Sequence, residues 1–69
     1  MIDWQRVCFG LRRQYGSLRC VSRQIGYRNP DYLTKLERGE VSDPRFSVGL
    51  SLIDIYVEHF GRDVPRVSD

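Results

Sequence analysis

Two short consecutive segments each begin with a helix-capping residue and end at a glycine, and this arrangement most constrains the fold. Ser17 can accept a hydrogen bond from an amide of a first helical turn, and Gly26 ends that segment nine residues later. The second segment begins at Asn29, a good cap, with Pro30 at the first helical position and Gly39 after the last. The sequence therefore predicts two short helices separated by a tight turn.

The residues before Ser17 predict a further helix. Asp3 can cap it, and it is expected to run to about Tyr15 because apolar residues recur every three or four positions. The set expected to face the core is Trp4, Val7, Cys8, Leu11 and Tyr15. In the next two helices the inward sets are expected to be Leu18, Val21 and Ile25, with the small Ser22 beside them, and then Leu33 and Leu36.

The longest predicted helix begins at Asp43 and Pro44, which repeat the pattern of a cap followed by proline, and runs to about Phe60. It carries two apolar stripes of the same 4-3-4 spacing. One consists of Phe46, Leu50, Ile53 and Val57, and the other of Val48, Leu52, Ile55 and His59 with Tyr56 beside it. We expect one stripe to pack on the first three helices and the other to form a two-fold dimer contact, assigned to Val48, Leu52, Ile55, Tyr56 and His59. A monomer with one stripe partly exposed is the alternative.

Composition bounds the class of protein. Sixty-nine residues allow one domain, expected to be all-α with four to five helices over residues 1–61, followed by an extended or disordered tail over residues 62–69. The tail is either frayed or an arm on a partner subunit. No long apolar run or signal peptide is visible, so we expect a cytoplasmic, nucleoid-associated protein without a membrane partner. Cys8 and Cys20 are expected to be reduced, and no metal or cofactor is expected.

Positive charge is concentrated in the first part of the chain. Residues 1–39 contain eight basic and three acidic residues, a net charge of +5, whereas residues 40–69 have a net charge of −3. Seven of the eight basic residues are arginine, whose guanidinium group can donate two parallel hydrogen bonds to a phosphate or a guanine. A solvated helical surface with a chance excess of arginine is the plainer interpretation. The alternative is a surface that binds a polyanion.

The outer face of the helix that begins at Pro30 is the candidate reading surface, because a helix-turn-helix places its second helix in the DNA major groove. Base contacts are assigned to Arg28, Asn29, Asp31, Tyr32 and Lys35. Asp31 either accepts from cytosine N4 or caps its own helix, and the second is favoured. Phosphate contacts are assigned to Arg23 and Arg38.

The sequence LRRQYGSLRCVSRQIG, followed by NPDYLTKLERGE, resembles the lambda-repressor/Cro-type helix-turn-helix family, also called the xenobiotic-response-element type. The downstream DPRFSVGLSLIDIY is similar to a segment of small phage-encoded regulators. The chain departs from the family at Ser22, where alanine is usual, and at Pro30. The resemblance implies an ion pair between Arg12 and Glu37 that ties the first helix to the end of the third. It also implies phosphate contacts by Ser17, Arg19 and Arg45.

The leading hypothesis is a transcriptional regulator, a repressor or autorepressor that binds an inverted-repeat operator in double-stranded DNA as a homodimer. It would have no enzymatic activity and no small-molecule effector, and it would act by excluding polymerase. The second hypothesis is a protein-interaction module that binds a partner protein, such as an antitoxin or a phage inhibitor, with the same helices. An enzyme is disfavoured because no nucleophile with a base, phosphate loop or metal constellation is visible.

Overall fold

The computed structural model describes residues 1–67, and within that range the chain forms four α-helices. They are α1 (Trp4–Tyr15), α2 (Leu18–Gln24), α3 (Pro30–Arg38) and α4 (Phe46–Phe60). The described residues contain no strand, only an isolated antiparallel bridge between Ile2 and Arg66. The prediction of an all-α chain is confirmed.

The local capping chemistry of the first three helices follows the sequence. The side chain of Asp3 accepts a hydrogen bond from the Arg6 amide at 3.2 Å, and Ser17 Oγ accepts one from the Cys20 amide at 3.2 Å. Asn29 caps α3 directly ahead of Pro30, which occupies the first helical position. These caps satisfy amides that have no partner within their helix, so they fix where each helix begins.

The core lies between α1 and the other three helices, each of which packs against α1. The fully buried side chains are Val7, Cys8, Leu11, Val21, Leu33, Leu36 and Leu52. Trp4 and Tyr15 of the predicted inward set are only partly buried.

The two cysteines lie in different environments. Burial raises the pKa of the Cys8 thiol to about 12, so this thiol is neutral and packs as a small apolar side chain, whereas Cys20 is exposed. Both cysteines are free thiols.

The start of α4 differs from the prediction. Asp43 and Pro44 lie outside the helix, which begins at Phe46 and has no side-chain cap. Arg45 has an extended ψ of 144°, so the chain enters helical geometry only at Phe46. The Arg45 amide donates to the Tyr32 hydroxyl of α3 at 2.9 Å.

The structure also reverses the assignment of the two α4 stripes. Four of the five residues assigned to a dimer contact, Val48, Leu52, Ile55 and Tyr56, are buried against helices of the same chain. His59 is exposed, and its ring lies 4.7 Å from the ring of Tyr15. The exposed stripe is the other one: Phe46 is 80% exposed, Leu50 46% and Val57 41%, with Ile53 partly buried. The assigned dimer contact is therefore wrong, because its apolar members are covered within one chain.

Residues 62–67 fold back onto the N-terminus. The Asp3 amide donates to the Pro65 carbonyl and the Val67 amide donates to the Met1 carbonyl, both at 2.8 Å. Val64 is buried in the core. This part of the predicted tail is thus extended and packed on its own chain. Residues 68–69 of the predicted tail lie outside the described residues.

Candidate nucleic-acid interface

One face of helix α3 packs against the core, and the opposite face is exposed. Leu33 and Leu36 are fully buried, whereas Asp31, Lys35 and Arg38 are exposed. This division follows from the helical period, since residues three or four apart lie on one face. The nine residues of α3 therefore present a polar outer face of about 13 Å in length.

The turn before α3 is fixed by Ser22. Its side chain is almost completely buried, and its hydroxyl donates to the carbonyl oxygen of Tyr27. The Tyr27 amide donates in return to the Ser22 carbonyl at 2.9 Å, and Gly26 between them adopts a φ of +75° that favours glycine. The sequence suggested only that Ser22 is small. Its hydroxyl in fact ties the end of α2 to the turn, and therefore sets where α3 begins.

Three arginines surround one open groove between α2 and the start of α3. The groove has a volume of about 530 Å³. It is lined by Arg19, Ser22, Arg23, Gly26, Tyr27, Arg28 and Pro30. Within residues 1–67 no carboxylate forms a salt bridge with any of the three guanidinium groups. Their combined positive charge is thus uncompensated, and a groove with this charge attracts an anion such as a phosphate.

The groove groups Arg28, which was assigned to a base contact, with two other arginines. Arg28 shares the groove with Arg19 and Arg23, which were assigned to phosphates, whereas Lys35 lies one turn into α3. The grouping depends on the path of the turn between Ile25 and Asn29, which spacing along the sequence does not give.

Asn29 is exposed, but its side-chain oxygen is already used. It accepts a hydrogen bond from the Asp31 amide at 3.1 Å. A bidentate contact to adenine requires both the oxygen and the nitrogen of an asparagine amide. Capping and adenine recognition by Asn29 therefore compete, and Asp31 is not needed as the cap of its own helix.

Tyr32 links the outer flank of α3 to the segment before α4. It is partly buried, its hydroxyl oxygen accepts from the Arg45 amide, and its ring centroid lies 5.6 Å from that of Tyr27. The Arg45 guanidinium lies 6.0 Å from the Tyr32 ring centroid. This contact holds Arg45, assigned to phosphate, beside the face that carries Lys35.

The C-terminal end of α3 is attached to α1. Arg12 Nε lies 2.7 Å from Glu37 Oε2, so the ion pair implied by the family resemblance is present. Gln5 Nε2 donates to the Glu37 carbonyl at 3.4 Å, and a Cβ at Gly39 would lie 2.8 Å from the same Gln5 nitrogen. The helix end needs glycine here for its φ of +82°, whereas the flexible end of Gln5 could move away from an added Cβ.

The remaining assigned residues are placed as follows. Ser17 is partly buried and occupied as a cap, and Arg38 is exposed with Glu40 3.8 Å away, which partly offsets its charge. Among residues 1–67, no three His, Cys, Asp or Glu side chains come together as a metal site would require.

Comparison of the chain with protein-family models, with curated proteins and with solved structures found no match. Within the part of the chain that the structure describes, none of the helices has the length and apolar character needed to cross a membrane.

Proposed function

We propose that this protein is a sequence-specific double-stranded DNA-binding transcriptional regulator of the helix-turn-helix type, which acts as a homodimer on an inverted-repeat operator. Helices α2 and α3 with their turn are the proposed binding unit, and the outer face of α3 is the proposed reading surface. One observation carries the proposal. A helix anchored by two fully buried leucines presents its exposed polar face next to a groove lined by three unpaired arginines.

The dimensions support this assignment. The DNA major groove is about 12 Å wide and admits one α-helix. Helix α3 can lie within it, because Asp31, Lys35 and Arg38 on its outer face are exposed. Because α3 is tied to α1 at Glu37 and to α2 through Ser22, little conformational entropy remains to be lost on binding.

We assign two different roles to the basic side chains. Lys35 lies on the middle of the outer face and is proposed to donate to guanine O6 and N7. Arg19, Arg23 and Arg28 share one groove and are proposed to bind the phosphate backbone, which positions α3 without reading sequence. Asp31 remains a candidate for cytosine N4, since Asn29 supplies the cap.

The experiment begins with selection of bound sequences from a random DNA pool, followed by affinity measurements by fluorescence anisotropy at several salt concentrations. Lys35→Ala should reduce discrimination between the selected site and a variant site by about 1–3 kcal/mol per half-site. Arg23→Ala should weaken binding to both sites equally and reduce the slope of log K against log salt by about 0.9 per subunit. Arg62→Ala removes an exposed arginine outside the α2–α3 surface and is the matched control.

The results separate the two functions considered for this chain. Failure to enrich any sequence, or unchanged operator affinity in a chain carrying both Lys35→Ala and Arg28→Ala, would contradict DNA reading by α3. The same basic face would then be assigned to an acidic protein partner. An affinity that hardly changes with salt would contradict phosphate binding by the three arginines.

A further inference from the structure

The exposed side of α4 presents an apolar surface that the proposed DNA contacts do not use. Phe46, Leu50 and Val57 are 80%, 46% and 41% exposed, and Ile53 lies between them. Beside Phe46 is a groove of about 190 Å³. It is lined by Trp4, Asp43, Pro44, Arg45, Phe46, Gly49, Leu50 and Ile53. We define the α4 surface as Phe46, Leu50, Ile53 and Val57 together with this groove.

We propose that the α4 surface binds the same surface of a second copy of this chain. This inference rests on the proposed function only where DNA binding is measured, because dimer formation itself is tested without DNA. The dimer contact is thereby assigned to the exposed stripe of α4. The stripe on the opposite side, with Val48, Leu52, Ile55 and Tyr56, is buried within one chain.

The shape of the surface favours a second copy over an unrelated protein. A two-fold interface uses the same patch on both subunits, so the patch must be complementary to itself. The α4 surface has a protruding ring, Phe46, directly beside a groove whose walls include Trp4 and Ile53. A two-fold axis between them places Phe46 of each copy at the groove of the other.

The charges at the rim point to the same occupant. Asp43 and Arg45 both line the groove. In a two-fold dimer, the acidic residue of one copy can therefore pair with the basic residue of the other. The α2–α3 face, in contrast, is strongly positive around its groove, and two copies would repel each other there.

The size of the surface is consistent with a dimer of moderate affinity. Phe46 alone exposes on the order of 150 Å², given its 80% exposure and the area of an aromatic side chain. With Leu50, Ile53 and Val57 the apolar area is about 300–400 Å² per copy, roughly half of the ~800 Å² that each partner contributes to a standard interface. The polar rim has to supply the rest, as it does in most interfaces.

The α4 surface adjoins the proposed reading surface. Arg45 lines the groove, and its amide contacts Tyr32 on the flank of α3.

Sedimentation velocity of the full chain over a range of concentrations tests the proposal in the absence of DNA. The wild-type chain should pass from monomer to dimer, and Phe46→Glu should raise the midpoint concentration by more than about tenfold. Phe9→Glu is the matched control, because Phe9 is a partly exposed aromatic residue on α1 and the change is the same. This control should dimerise as the wild type does.

A wild-type chain that stays monomeric at all concentrations, or a Phe46→Glu chain that dimerises normally, would overturn the proposal. Circular dichroism reports whether each variant is folded, and Leu50→Gln, a milder change in the same surface, replaces Phe46→Glu if that chain unfolds. The DNA arm uses half-site and full-site duplexes. If the wild-type chain dimerises, Phe46→Glu abolishes dimerisation and no DNA is bound, the dimer contact at the α4 surface is supported and the proposed function is wrong. If the chain binds its operator but never dimerises, the proposed function is supported and the dimer contact is wrong.

Discussion

Replacement of Ser22 by alanine tests whether the turn that positions α3 is held by one hydroxyl group. Ser22 is 2% exposed, and its hydroxyl donates to the Tyr27 carbonyl in the turn that leads to α3. Alanine removes only the oxygen atom and leaves the helix backbone and the close packing around Cβ intact. The substitution therefore isolates the hydrogen bond.

The magnitude follows from burial. Loss of the donor leaves a partly buried carbonyl without that hydrogen bond, which costs about 1–3 kcal/mol. The higher helix propensity of alanine offsets about 0.5 kcal/mol. The free energy of unfolding should therefore fall by about 0.5–2.5 kcal/mol, out of the ~3–10 kcal/mol that a domain of this size has in total. At about 4–8 °C per kcal/mol, Tm should fall by roughly 2–20 °C.

Urea and thermal unfolding followed by circular dichroism measure the effect. Ser47→Ala is the control, since Ser47 is an exposed helical serine and the change has the same effect on propensity. The control should change the free energy of unfolding by less than about 0.5 kcal/mol. If the two variants are equally stable, the Ser22 hydroxyl does not hold the turn, and the account of how α3 is positioned fails with it.

Two further predictions concern the other contacts that hold the helices together. Burial raises the pKa of Cys8 from 9.0 to about 12, so above about pH 9 the unfolded thiol ionises while the folded one stays protonated. The free energy of unfolding should then fall with rising pH by about 1.4 kcal/mol per unit from this group, and Cys8→Ala should lack that slope in urea titrations between pH 8 and 11. The Arg12–Glu37 pair is partly exposed, at 46% and 22% of the two side chains, so a double-mutant cycle with alanine should give a coupling below about 1 kcal/mol. A larger coupling would mean that the pair is screened from solvent far more than its exposure indicates.

The parts of the fold that the sequence predicts are those fixed by local chemistry. A serine or asparagine cap acts on amides two or three residues ahead, and a glycine that ends a helix acts within the last turn. Ser17, Asn29 and Gly39 therefore mark the bounds of α2 and α3 without any knowledge of the rest of the chain. The same local logic failed at Pro44, where Arg45 has an extended ψ of 144° and its amide contacts Tyr32, 13 residues earlier in the chain.

The two stripes of α4 show a different limit. Both have a 4-3-4 spacing, so periodicity predicts two apolar faces but not which one meets the core. The glycines of these helices do not settle the choice either. A Cβ at Gly49 would be 3.3 Å from the Trp4 ring, so Gly49 marks a close approach, but it also lines the groove of the exposed α4 surface and lies beside both stripes.

The composition of the proposed reading surface gives an independent reason for a second subunit. If Arg28 binds phosphate with Arg19 and Arg23, and Asn29 is occupied as a cap, α3 retains Lys35 and Asp31 as its base readers. At about 1–3 kcal/mol for each base contact, two readers supply roughly 2–6 kcal/mol of discrimination. Specific binding generally exceeds non-specific binding by about 4–10 kcal/mol. One copy therefore reaches at most the lower part of this range, whereas two copies on an inverted repeat, with roughly 4–12 kcal/mol, span it. The selected DNA should accordingly contain two short, symmetric half-sites of two or three conserved base pairs each, and enrichment of a single long asymmetric site would contradict this assignment of readers.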